Sequence, residues 1–484
     1  MPRIVIVGGG ISGLALAYRL EQALPHATVT ILERDTRPGG KVWTERLDGF
    51  TVELGPNGFL DTKPTTKALC CDLGLDNRLT PASAAASKNR FLFLDGKLRP
   101  LSANPLAFLR SDIISWRGKL ALLAGLFRRP RRTSADESVD AFAQRHAGPE
   151  IAQVLVDALV TGIYAGDPKL LSVRAAFPRL AALEEQYGSV LRGMIASAKQ
   201  RRRDAKPRGE PKGRPGQLWS FREGLRLLIE TLCARLGAPV LLGVPIKRLE
   251  RNPNGWRVRG EGHDGWDADA VVLTCPAYQQ AAILADLDGE LAEQVGAIPY
   301  NRVAVVGLGY RRDDIPIPLD GFGYLTARGS RGDVLGVQWC SSTYPDRAPE
   351  GMVLLRAMCG GWQRPEVVSW DDGRLIQAVV ADLRVSLGIA APPVFQRIIR
   401  WDRAIPQYHV GHLERVAFIE ARAAHHPGLF LAGNAYHGIA LNDCTEQAEL
   451  IAARVAQLLS PGERGGVSTP SAALSSLTPR RSPA

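Results

Sequence analysis

Two kinds of apolar pattern organise this chain. Ile4 to Val7 and Val29 to Leu32 are short uninterrupted runs of aliphatic residues. Between them, after a glycine cluster, Leu14, Leu16, Ala17 and Leu20 recur at helical spacing. Strands with no polar alternation are buried on both faces, so residues 3 to 33 predict strand, turn, helix and strand in a parallel sheet covered on both sides. From Pro239 to Leu273 the pattern changes. Val, Ile and Trp alternate with polar residues and are broken by Asn252-Pro253-Asn254-Gly255 and by Asp264-Gly265. This predicts a series of hairpins ending in the strand Val271-Val272-Leu273. Residues 303 to 360 form a second β-rich block that builds a sheet outside the first.

A third region is neither. Between 104 and 130, Leu106, Phe108, Leu109, Ile113, Ile114, Trp116, Leu120, Leu122, Leu123, Leu126 and Phe127 are interleaved with Arg110, Arg117, Lys119, Arg128 and Arg129. Helices with a wide apolar face and cationic edges lie in a membrane interface, cap an apolar cavity, or pair as a buried hairpin with exposed arginines. Residues 199 to 214 hold eight Lys or Arg against two acids, with Pro207 and Pro211. That composition buries too little apolar surface to order itself and predicts a mobile loop. No aromatic residues are interleaved there as stacking platforms, which argues against nucleic acid. The serine- and proline-rich residues 461 to 484 predict a disordered tail.

Length and charge bound the reading. A chain of 484 residues implies two or three domains, and 45% hydrophobic with 23% charged residues is an ordinary globular balance. The formal net charge of +11 favours an anionic partner: an acidic membrane surface, nucleic acid or a carboxylated substrate. Seven cysteines without a CxxC pair suggest neither a disulfide framework nor a zinc site, so no metal is expected and a reducing, cytoplasmic setting fits. The start of the chain runs straight into a strand without the long apolar stretch of a signal peptide. No run of about 18 uncharged apolar residues predicts a transmembrane helix.

Candidate chemistry begins at Gly8-Gly9-Gly10-Ile11-Ser12-Gly13, a GxGxxG set between strand and helix. Gly8 permits the tight turn, Gly10 lets a pyrophosphate approach the backbone, and Gly13 lets helix and strand pack closely. Ile11 and Ser12 open a helix whose unpaired N–H groups face the phosphates. Glu33 closes the second strand 20 residues after Gly13, followed by Arg34. A carboxylate there accepts ribose hydroxyls and repels a 2′-phosphate, which disfavours NADP. Arg37-Pro38-Gly39-Gly40-Lys41 then offers paired glycines and a cation to a dinucleotide. At the far end, Leu429 to Gly433 reads as a strand. A helix is expected to begin near Asp443, with Glu446 closing a capping box. Cys275, with no histidine near it, reads as a small buried residue rather than a nucleophile.

The acid followed by Gly39-Gly40-Lys41 resembles the pattern of amine-oxidase-like flavoproteins. Gly55, Pro56 and Asn57, within Glu53-Leu54-Gly55-Pro56-Asn57-Gly58, resemble that superfamily's next flavin-contacting turn. Val244 matches the place where its members pack a backbone amide against adenine. Gly433 and Asn434, then Gly438, Ile439 and Ala440, resemble the strand end and helix start that hold the flavin phosphate, ribitol and isoalloxazine. The resemblance implies FAD as cofactor. It also implies an α/β fold with a Rossmann-like FAD-binding domain of the amine-oxidase type, a mixed β-sheet substrate-binding domain and an inserted helical domain. The expected boundaries are 1–85, 220–290 and 415–460 for the FAD domain, and 86–104 and 291–414 for the substrate domain. Residues 105–219 form the helical domain, with its basic loop at 199–215.

More specific marks resemble the bacterial protoporphyrinogen and coproporphyrinogen oxidases, from Arg3 to about Leu459. They include Gly162-Ile163-Tyr164-Ala165-Gly166-Asp167-Pro168. Arg90, within Asn89-Arg90-Phe91-Leu92, resembles a substrate-facing arginine. Phe322, Gly323 and Leu325 resemble a cavity turn, and Met358 a cavity strand. The resemblance implies oxidation of a porphyrinogen by dioxygen, with hydride passing to the flavin and peroxide released. Arg90 would pair a propionate, and Phe322, Leu325 and Met358 would line an apolar slot. It supplies no catalytic base. Protoporphyrinogen suits the apolar stretch 104 to 130, whereas the tetracarboxylate coproporphyrinogen suits the arginine excess, and neither point decides. Ferrochelatase-type enzymes of haem biosynthesis and the inner face of a membrane through 104 to 130 are the further contacts implied. The oligomeric state is open. Two other readings stay open: an amine oxidase or carotenoid desaturase, for whose aromatic pair Tyr436 is at most one member, and a non-catalytic escort protein of the same fold.

Overall fold

The computed structural model describes residues 1–102, 104–125, 135–204, 216–262 and 264–460. The tail from 461 onward lies outside them, as do 126–130 of the apolar–cationic stretch and 205–215 of the basic segment.

The two ends of the chain build one parallel sheet. Its order is Leu429–Leu431, Ala270–Leu273, Arg3–Val7, Thr28–Leu32, with Val5 opposite Val271 and Val271 opposite Leu429. Successive side chains of a strand point to opposite faces. Ile4 and Ile6 therefore enter one apolar cluster, and Val5 and Val7 another. The first cluster is closed by two helices, Ile11–Ala23 and Leu441–Leu459, which bury Leu14, Leu16 and Leu20 against Ala448, Ile451 and Val455. The three-stranded meander Arg248–Asn252, Gly255–Arg259 and Gly265–Ala268 feeds Trp256 and Val258 into the second cluster.

A larger sheet of seven strands runs Phe395–Trp401, Val303–Arg311, Met352–Gly360, Val334–Trp339, Gly323–Thr326, Phe91–Leu94, Lys97–Pro100. All pairs are antiparallel except Gly323–Thr326 with Phe91–Leu94. Strand alternation splits its side chains cleanly. Ala304, Val306, Val337, Ala357 and Cys359 pack under the helix Asp372–Leu387, through Leu375, Val379 and Leu383. Val303, Val305 and Met358 face the other way.

Residues 105–204 are helical throughout their ordered elements. Asn104 Oδ1 accepts from Leu106 N at 3.0 Å to start Pro105–Arg110, and Ser115 Oγ accepts from Gly118 N at 3.2 Å to start Trp116–Ala124. Ile113 and Ile114 are buried, whereas Leu106, Trp116, Leu120 and Leu123 are exposed. One expectation fails here. The basic segment is not a loop from 199 onward, because the helix Val190–Asp204 runs through its first six residues. Lys, Gln and Arg are good helix formers, so a preceding helix extends into such a run at little cost. Among the described residues no helix is long and apolar enough to cross a membrane.

Candidate functional site

Steric demands explain the first glycines. Gly8 sits at φ +118°, and a Cβ on Gly13 would lie 2.0 Å from the Gly8 carbonyl oxygen. Gly10 differs: a Cβ there would meet nothing within 4 Å, so its open side is available to an approaching group. The first intrahelical bond is Leu14 N to Gly10 O at 3.0 Å. The N–H groups of Ile11, Ser12 and Gly13 therefore stand at the positive end of the helix dipole without partners in that ladder. Gly39 N donates to Gly9 O at 2.8 Å, which lays the loop 37–41 against the glycine turn. Glu33 is buried at the strand end. Its Oε2 accepts from Gly9 N at 2.6 Å and its Oε1 from Asp35 N at 2.9 Å. The carboxylate is thereby fixed in place, with lone pairs left for hydroxyl donors.

Two of the expected cofactor residues make bonds within the protein. Val244 N donates to Glu33 O at 2.9 Å, because residues 241–244 extend the sheet beside Ile31 and Glu33. That N–H is spent on the strand end. Lys41 turns its ammonium onto the carbonyls of Arg403 (2.8 Å) and Ala404, above the Tyr300 ring. Burial pushes this ammonium down to about 8. The Arg34 side chain is exposed and reaches Asp35 Oδ1 at 3.3 Å. Cys275 is buried, and burial pushes its thiol up to about 12, so it is no nucleophile at neutral pH.

The flavin-type turn is held from behind. A Cβ on Gly55 would lie 1.9 Å from Lys41 O. Trp401 Nε1 donates to Leu54 O at 2.9 Å, and Arg356 donates to Gly55 O. Asn57 beyond it is 9% exposed, and its Nδ2 has no hydrogen-bond partner. A buried amide donor without an acceptor costs free energy, so a polar ligand group is its natural complement.

Loop 433–440 faces the same sheet edge. Gly433 and Gly438 adopt φ +109° and +111°. Tyr408 Oη donates to Asn434 O at 2.6 Å and accepts from Gly438 N at 2.8 Å. The expected capping box at the start of the last helix is corrected. The helix begins at Leu441 with Ala440 as its N-cap, and Asp443 Oδ2 accepts from Ala440 N at 3.0 Å. Glu446 caps nothing. It and Asp443 both accept from Lys63 Nζ, at 2.6 and 2.7 Å. Ile439, Leu441 and Asn442 contribute N–H groups at this helix start, and Asn442 Oδ1 is buried without a partner.

These features fit an FAD laid along the parallel sheet. An open glycine and a helix N-terminus would meet the pyrophosphate, Glu33 would meet the ribose, and the unpartnered Asn57 and Asn442 groups would be free for polar atoms of the flavin. Tyr408, Lys63, Arg356 and Asn442 were not foreseen. Only Arg356 left a sequence signal, a lone cation in the apolar run Met352–Gly360.

On the other side of the site, register places Leu92, Leu325, Gly336, Met358, Val305 and Ile399 in one row across the seven-stranded sheet. Leu325 and Met358 are half-buried on the face away from the helix Asp372–Leu387. Gly162 packs onto Leu325, where a Cβ would come within 2.8 Å of Leu325 Cδ1. Gly323 takes φ +133°, with Phe322 N bonded to Asn89 O at 2.9 Å. The exposed Arg90 guanidinium lies 5.3 Å over the Phe322 ring. Tyr436 is withdrawn: its ring is buried and its Oη donates to Gln280 Oε1 at 2.7 Å.

The family model described as flavin containing amine oxidoreductase matches residues 11–456. Chloroplastic protoporphyrinogen oxidase of Nicotiana tabacum is 34% identical over 94% of this chain and 86% of its own. Coproporphyrinogen III oxidase of Staphylococcus aureus is 30% identical over 93% and 98% of the two chains. A crystal structure described as a putative protoporphyrinogen oxidase, from an Exiguobacterium species, superposes with TM-score 0.81 at 29% identity, over 94% of this chain and 99% of that one. Cyclohexylamine oxidase of Brevibacterium oxydans, at 18% identity and TM-score 0.70, shares the fold. With the dinucleotide cradle and the whole-length likeness in hand, the chain belongs to the flavin containing amine oxidoreductase family, among its protoporphyrinogen and coproporphyrinogen oxidases, and is an FAD-dependent oxidoreductase.

Proposed function

We propose that this enzyme oxidises a porphyrinogen to the corresponding porphyrin in haem biosynthesis, with dioxygen as electron acceptor. The observation that carries this reading is the likeness, over 93% of this chain and 98% of the other, to an enzyme named for that reaction. Bound FAD supplies a two-electron acceptor that dioxygen reoxidises. Three rounds balance as porphyrinogen plus three dioxygen giving porphyrin plus three hydrogen peroxide. Each round removes two hydrogens as a hydride and a proton.

The residues divide the remaining work. Arg90 offers a planar cation to a propionate, and Phe322 beneath it supports both the cation and a flat ring. Leu325 and Met358 would form an apolar wall, with Gly336 paired between them in the register. Such a surface holds a tetrapyrrole by desolvation and shape. An amine oxidase is disfavoured by Tyr436, whose ring is buried instead of facing a substrate. The test is a paired assay under air with the dicarboxylate and the tetracarboxylate porphyrinogen. Porphyrin fluorescence and three peroxides per porphyrin are expected, and the ratio of kcat/KM values names the physiological donor. Flavin-loaded protein that yields no porphyrin from either overturns the proposal.

Peripheral membrane contact belongs to the same reading. Leu106, Trp116, Leu120 and Leu123 are exposed beside Arg110, Arg117 and Lys119. Anionic vesicles should sediment the protein and neutral ones much less. Trp116→Ser with Leu120→Ser should abolish the difference.

A further inference from the structure

We propose that Tyr408 is the positioning residue of the flavin loop: its single hydroxyl ties Asn434 to Gly438 within loop 433–440 and so sets how tightly FAD is held. The inference rests on the assignment of that loop to FAD, and not on which donor the enzyme oxidises.

The geometry is specific. A phenol has one donor hydrogen and lone pairs to accept, and Tyr408 uses both on this loop. Its Oη donates to Asn434 O at 2.6 Å and accepts from Gly438 N at 2.8 Å. The two partners are four residues apart, in a loop whose Gly433 and Gly438 sit at φ +109° and +111°. Such a segment has little conformational preference of its own. Burial holds the phenol well above its usual range, so the hydroxyl stays protonated and the donor direction is fixed.

The tyrosine itself has no freedom. It is 1% exposed, its ring stacks on His412 at 4.0 Å and 12°, and it meets Tyr164 edge-on at 6.0 Å. Ser172 N holds its carbonyl at 2.8 Å. His412 Nε2 lies 3.2 Å from Tyr436 O, in the middle of the same loop. That acceptor requires the proton on Nε2. Residues 434–438 are thus pinned at both ends by Tyr408 and at their centre by the residue stacked on it. Ile439, Leu441 and Asn442 are left to offer their N–H groups in a fixed array. Pre-set donors of this kind stabilise negative charge that arises on a bound group.

Tyr408→Phe keeps the ring and its stacking and removes only the hydroxyl. FAD release from the holoenzyme after dilution, followed by the return of free-flavin fluorescence, should become about tenfold faster or more, since two hydrogen bonds of roughly a factor of ten or less each are lost. The flavin midpoint potential should move downward, because looser N–H groups stabilise reduced flavin less. Tyr164→Phe is the control. That tyrosine is equally buried, but its hydroxyl donates to Ala176 O at 3.2 Å, outside the loop. Its variant should melt lower yet keep wild-type release and potential. The proposal is overturned if Tyr408→Phe holds FAD and its potential as wild type does, or if the two variants shift both readouts equally. Neither readout involves a porphyrinogen, so failure here and failure of the substrate assignment are separate results.

Discussion

A single methyl group is enough to test the cofactor cradle. The Cβ of Gly13→Ala would sit 2.0 Å from Gly8 O and 2.8 Å from Thr274 Oγ1, both of which are fixed in the turn. Helix and strand must then separate, and the purified variant should contain no bound flavin. A yellow Gly13→Ala protein with wild-type FAD content would contradict the packing argument. Arg90 tests the opposite edge of the site. It is exposed and stacked on Phe322, so its loss should leave the fold intact. Arg90→Ala should raise KM for a porphyrinogen about tenfold with kcat little changed, the signature of lost ground-state binding. Lys at this position should recover only part of the loss, because it lacks the planar fork. The glycines were legible in the sequence because each answers a local demand, a positive φ or a close approach. Tyr408 and Lys63 were not, and Arg356 showed only as a lone cation in an apolar strand. The partners of Tyr408, Arg356 and Lys63 are 30, 301 and 380 residues away, and two of the three act mainly on backbone atoms, which carry no sequence mark.

At the level of elements, end points depend on capping groups that periodicity does not reveal. The last helix was expected to start at Asp443 because Asp and Glu three apart imitate a capping box. The acid that closes on the N-cap is Asp443 itself, acting from the third helical position on Ala440, and Lys63 draws Glu446 away. A better-placed cap is Asp288, at the start of Gly289–Gly296. Its Oδ1 accepts from Leu291 N at 3.1 Å, and its Oδ2 accepts from Arg422 at 2.7 Å and His426 at 2.8 Å. Burial pushes this carboxyl up, but Arg422, His426 and the Leu291 N–H outweigh it and hold it well below the usual carboxylate range. A group depressed in the folded state contributes stability that is complete above its unfolded value of about 4 and is lost as pH falls below it. Asp288→Asn should therefore cost about 2 kcal/mol at pH 7 and progressively less as pH falls below about 4. The gap between urea midpoints of the two proteins should stay constant from pH 7 to about 4 and narrow below it. A gap that does not narrow there would mean that the ion pairs contribute little.

At the scale of the whole molecule, the glycine turn is local in sequence but the sheet that presents it is not. The pattern at residues 3 to 33 and at 429 to 433 gave two fragments of one cradle, and nothing in the intervening residues except the strand Ala270–Leu273 says that they join. Register supplies the join: Val5 opposes Val271, which opposes Leu429. The helix Leu441–Leu459 then covers the first helix, burying Leu441, Cys444, Ala448, Ile451, Ala452 and Val455. Aliphatic side chains contribute about 1.5–3 kcal/mol each when fully buried, so this one helix supplies on the order of 10 kcal/mol. A domain's whole stability is about 5–15 kcal/mol. Stopping the chain after residue 428 removes that helix together with the strand Leu429–Leu431, and exposes Leu14, Leu16 and Leu20 on the partner helix. The glycine turn, Glu33 and the turn 55–57 would all remain in the truncated chain. If those motifs sufficed, it would still take up FAD. The physical argument says that it unfolds in this region, binds no flavin and aggregates through the exposed helix face, and that flavin absorbance of the soluble fraction falls to zero. A soluble 1–428 fragment that retains FAD would mean that the cradle is a local unit and that the closing helix serves only as a cover.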